Sequence, residues 1–239
     1  MKENVYTYPI SIAFKEKDGC PFCRLYSEME AQMLDYSLGG AMMEPHERAL
    51  SNRLGFCEKH YNDLRDLRNR LSLGLMTTTH IDELLSTILS PDYISGKAFV
   101  NPRMTPAKYV EQLRTTSSTC YVCHHIEDHM KHYYTNAVHM WKSEKEFRQL
   151  TVEQPYYCIP HLMRFIAAAE SKLFGKKAFQ EFLADILPVV RSYAETLRTD
   201  ADEFCLSFDH RNAGKPISDG AKSAIERTLV FINGTERNR

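Results

Sequence analysis

Residues 20–38 read CPFCRLYSEMEAQMLDYSL and residues 57–64 read CEKHYNDL. A hundred residues later the plan returns, with CYVCHHIEDHMKHYYTNAVHMW at 120–141 and CIPHLMRFI at 158–166. In both passages a Cys-x2-Cys pair precedes a Cys-x2-His pair. The two sets are Cys20, Cys23, Cys57 and His60, and Cys120, Cys123, Cys158 and His161. Each pair is followed by apolar residues at helical spacing, such as Leu25, Met29 and Met33 after the first. Two ligands three residues apart lie on one face of a helix start. Three thiols and one imidazole, found twice with matched spacing, form the donor set of two tetrahedral metal sites. Pairing within each half, across 33 or 34 residues, would staple the ends of a helix hairpin.

Working outward, the pattern stays helical. Pro21 suits the first turn of a helix, and Gly39-Gly40 suits its stop. Pro45 opens a shorter helix closed by Gly55. From Cys57 an amphipathic run passes through Leu64, Leu67, Leu71, Leu75, Ile81, Leu84 and Ile88, with a bend expected near Gly74 or a break at Thr77–Thr79. Residues 90–106, with several Pro and Gly, read as a linker. TTSST at 115–119 offers caps before Cys120. A helix from Cys158 and another over residues 178–198, kinked at Pro188, complete the second half. The expectation is an all-α chain of two pseudo-repeated helical halves, each stapled by a Cys3His metal site. Residues 1–95 and 96–200 form the two metal-binding repeats, and residues 201–239 form a C-terminal loop and helix packing on them.

Composition bounds the function. A hydrophobic content of 43% in 239 residues is ample for a core. A formal net charge of −1 provides no basic field for phosphates and argues against nucleic-acid binding. No apolar run is long enough for a membrane span, and no signal peptide is apparent. Six of the seven cysteines belong to the repeated motif. Reduced thiols holding metal in a cytoplasm therefore fit better than disulfides. The seventh, Cys205, is expected to be a small buried hydrophobe.

Four protein ligands leave no open position for a catalytic water, so two structural Zn2+ ions are the expected cofactors. An iron–sulfur cluster with the same ligands is the alternative. Metal-free buried cysteines and a redox-active Cys20-Pro21-Phe22-Cys23 pair are weaker readings, because the thioredoxin-like pattern of strands around such a pair is missing. His125, His129 and His132 share a helix face, which reads as a polar surface or a partial third site. In AMMEPHER, residues 41–48, Met42 and Met43 are expected to pack into the core. Asn69, Arg70, Thr79 and His80 are either caps and exposed polar positions or the lining of a cavity. No phosphate-binding glycine loop, G-x-S-x-G or H-E-x-x-H occurs.

The run YPISIAF, DGCPFCRLYSEME, LGGAMMEPHER, NRLGFCEKH and NRLSLGLMTTTHIDEL, continued through the second Cys/His set to SFDHRN, resembles an uncharacterised bacterial family of a domain of unknown function. That family is met mostly in anaerobic Gram-positive bacteria. The resemblance covers nearly the whole chain and matches all eight ligand positions. It implies an intracellular, metal-binding helical protein and brings no activity, substrate or catalytic residue. The function expected is a non-enzymatic scaffold for an unknown protein or small-molecule partner. A redox or iron–sulfur protein is the alternative.

Overall fold

The computed structural model describes residues 5–212 and 214–235, and among these there is no strand. The helices in chain order are α1 (Thr7–Glu16), α2 (Pro21–Leu38), α3 (Gly40–Met43), α4 (Pro45–Leu54), α5 (Glu58–Asp66), α6 (Arg70–Ser86) and α7 (Pro91–Ile94). They continue with α8 (Pro106–Ser118), α9 (Tyr121–Ser143), α10 (Lys145–Val152), α11 (Ile159–Lys172), α12 (Lys176–Leu206), α13 (Asp219–Lys222) and α14 (Ala224–Asn233). The chain is all-α, as the periodicity predicts. No helix among the described residues is long and apolar enough to cross a membrane.

Two compact units emerge, and they do not follow the boundaries expected at residues 95 and 200. Among the described residues, one takes those up to Glu28 and those from His129, and the other is Met29–Asp128. The discontinuous unit is built on aromatics. Phe14, Phe22, Tyr157, Phe165 and Phe182 are all fully buried, and Phe22 packs edge-on against both Phe14 and Phe165. Such pairs add to the burial of large apolar area. α13 and α14 pack on α12, and α14 also on α11. In the central unit the core is more aliphatic, with Leu64, Met76, Val122 and Ile126 buried along with Tyr121. There α4 lies along α6. Arg48 donates to Leu75 O and Thr79 Oγ1, and His80 Nδ1 lies 2.6 Å from Asn52 O.

Several local expectations are revised. The break after α5 falls at residues 67–69, where Arg68 takes a positive φ of 63°, and not at Gly74 or Thr77–Thr79. Asn69 then caps α6 by accepting from Ser72 N, while its amide donates to Leu38 O. The linker at 90–106 carries α7 and a 3-10 turn, and Thr115–Ser118 lie in the last turn of α8, not in a cap. Pro188 lies inside α12, which runs through it for 31 residues. Of AMMEPHER, Ala41 is the residue that packs inward, whereas Met43 is 76% exposed. Cys205 is exposed as well. Its apolar neighbours Leu206 and Phe208 also face outward, so the hydrophobic run around it marks no core position.

Candidate metal centres

The eight sequence-selected ligands gather into two groups of four, but in crossed pairs. Cys20 and Cys23 meet Cys158 and His161, while Cys57 and His60 meet Cys120 and Cys123. Within each group the ligand atoms all lie within 4.8 Å of one another. The hairpin pairing within each half is therefore corrected: each Cys-x2-Cys pair joins the other half's Cys-x2-His pair.

Every ligand pair sits at a helix start. Cys57 and Cys158 are the N-cap residues of α5 and α11. Cys20 and Cys120 directly precede α2 and α9, and their carbonyls accept from Cys23 N and His124 N respectively. Two helix N-termini point at each group, and their positive ends favour thiolate over thiol. Gly55 sets up the approach to Cys57, with φ at +58° and its carbonyl accepting from Tyr121 N at 2.8 Å.

In the first group, His161 Nδ1 lies 3.7, 3.3 and 3.1 Å from the sulfurs of Cys20, Cys23 and Cys158. Cys23 and Cys158 sulfurs are 3.6 Å apart. In the second group, His60 Nδ1 lies 3.3, 3.2 and 3.4 Å from Cys57, Cys120 and Cys123. Tetrahedral zinc with its usual bond lengths separates sulfur from nitrogen by about 3.5 Å and sulfur from sulfur by about 3.8 Å. The groups fit a single ion of that size.

The electrostatics agree with the geometry. The Cys158 and Cys20 sulfurs hold the Cys23 thiol far below its ordinary value, while the same crowding pushes Cys158 up. One thiolate is thus favoured and further ones repel it, unless a cation stands between them. In the second group Cys123 and His60 bring Cys120 down to about 3, against burial.

Around the second group lie contacts that spacing alone did not reveal. His60 Nε2 faces Glu30 Oε1 at 3.0 Å, and Lys59 Nζ donates to the same oxygen at 2.6 Å. Tyr121 donates to Glu47 Oε2 at 2.5 Å, and His125 Nε2 lies 3.2 Å from that oxygen. His129 and His132 instead face the ring of Tyr6. The histidine face thus serves two environments, and it forms no cluster of three close ligand atoms among the described residues.

The chain belongs to a family of unknown function, DUF6062, whose model matches residues 1–239. No curated protein and no solved structure matches it. For this DUF6062 member the donor set is therefore the direct guide to chemistry. Each group offers three thiols and one imidazole, enough to enclose one soft or borderline cation completely.

Proposed function

We propose that the chain is a non-enzymatic, cytoplasmic zinc protein whose two Cys3His groups, Cys20/Cys23/Cys158/His161 and Cys57/His60/Cys120/Cys123, each hold one structural Zn2+. The observation that carries this reading is the tight packing of four ligand atoms within 4.8 Å in each group. That spacing suits one four-coordinate ion. An iron–sulfur cluster spreads its ligands over several irons and needs a wider cage. A complete protein ligand set leaves no position for a metal-bound water, so the ions organise structure instead of activating substrate. Reduced thiols in such number fit a reducing compartment. The scaffold so formed would present its helical surface to a protein or small-molecule partner.

Elemental analysis of protein purified without oxygen, with its visible spectrum, tests the assignment. The expected result is about two zinc ions per chain and no colour, as two four-ligand sites require. Iron with a broad visible band would move the reading to electron transfer or redox sensing.

A further inference from the structure

The two groups share one donor set and differ in access. In the first, all four ligands are buried, with Cys20 at 3%, Cys23 at 6% and Cys158 at 0% exposure. A cavity of about 350 Å³ touches Cys20 and Cys23 beside Tyr156 and Arg24, yet both thiols stay covered. In the second group Cys57 and Cys123 are half-buried. A larger cavity of about 490 Å³ is lined by Cys57, Cys120 and Cys123, of which the half-buried Cys57 and Cys123 are the more accessible. Its remaining wall is Leu54, the Ser117-Ser118-Thr119 end of α8, His124 and Glu127. A small polar molecule has room there.

We propose that the second group is a thiol-modification site, in which a hydroperoxide entering this cavity oxidises two thiolates to a disulfide and ejects the ion. The first group stays closed and keeps its ion. This deepens the zinc reading above and rests on it. An accessible thiolate, Cys57 or Cys123, attacks the peroxide oxygen and becomes a sulfenic acid, with water leaving after protonation when the oxidant is hydrogen peroxide. A neighbouring thiolate attacks that sulfur, displacing hydroxide, which takes up a proton and leaves as water. Two thiolates, one hydrogen peroxide and two protons give one disulfide and two waters. Zinc leaves as Zn2+, unchanged in oxidation state, because one imidazole and one thiolate no longer enclose it. A dithiol reductant reverses the disulfide and restores the donor set.

The test uses the full chain with Cys205→Ser, since Cys205 is exposed and would react independently. Zinc is counted first; hydrogen peroxide is then added with a chromogenic zinc chelator, and the products are mapped by peptide mass spectrometry. One ion should leave at least roughly tenfold faster than the other, because oxidation follows exposure of the thiolate. The early disulfide should join two of Cys57, Cys120 and Cys123. Release of both ions at one rate, or earlier oxidation of Cys20, Cys23 or Cys158, would overturn the proposal. If the first count finds no zinc, the zinc reading falls, and iodoacetamide alkylation of the metal-free chain tests access by itself. Modification of Cys57 and Cys123 ahead of Cys20 and Cys158 supports the open site, and the reverse order sinks it.

Discussion

His60 works through both of its ring nitrogens. Nδ1 sits among three sulfurs, while Nε2 meets Glu30. With no ion bound, burial lowers its proton affinity, but the Cys120 and Glu30 hydrogen bonds outweigh that and push it up to about 9; an ion at Nδ1 takes the place of that proton. A carboxylate behind a ligating imidazole fixes its orientation and raises its basicity. Glu30→Gln should therefore loosen zinc at the second group by roughly 10- to 100-fold and leave the first unchanged. Chelator competition measures both, and equal loosening at the two groups would count against this role. The same carboxylate gives a pH signature. Burial alone would raise Glu30, yet the bonds from His60 and Lys59 leave it below the ordinary carboxylate range. Its stabilisation is thus complete above about pH 4.3 and lost as pH falls through the lower folded value. The difference in Tm between wild type and Glu30→Gln should shrink over that acid range. A difference independent of pH would refute the linkage.

Among the elements, the short segment between α4 and α5 is the most sensitive. A Cβ at Gly55 would stand 2.7 Å from His80 Nε2, on a ring whose other nitrogen lies 2.6 Å from Asn52 O. Gly55→Ala combines that clash with a positive φ and should cost about 1–3 kcal/mol, with weakened metal retention at Cys57. Denaturant unfolding with a zinc count checks both effects. At the start of α6, Asn69→Ala removes the cap and should cost about 1 kcal/mol, with zinc content unchanged. The helical character of these elements was legible from spacing, and so were Pro21, Pro45 and Gly55 as boundaries. The break at residues 67–69 was not, because Leu67, Leu71 and Leu75 continue the apolar period across it. Those leucines are 49%, 76% and 44% exposed, so beyond the buried Leu64 they take no part in the core. α8 was missed for the opposite reason. Its Thr115, Thr116, Ser117 and Ser118 resemble caps and carry no apolar period.

For the whole molecule, crossed pairing makes a test that either pairing can lose. Cys20→Ser with Cys158→Ser should leave one ion, since both changes fall in one group. Cys20→Ser with Cys57→Ser should leave none tightly held, since each group loses a thiolate. Pairing within halves would give the opposite counts. The eight Cys and His residues that gather into the two groups were visible as a set, because candidate metal donors are chemically conspicuous. Their partners were not, because two identical donor sets allow either Cys-x2-His pair to meet either Cys-x2-Cys pair, and the choice is made by the fold. The same arrangement orders the chain in time. The second group is complete once His60, Cys120 and Cys123 have left the ribosome, and the first must wait for His161. About 40 residues separate those moments, or about 2–8 s of synthesis at usual rates. During that interval Cys20 and Cys23, made earliest, stand without their partners, and a nascent chain stalled there holds one finished centre enclosed in an open loop.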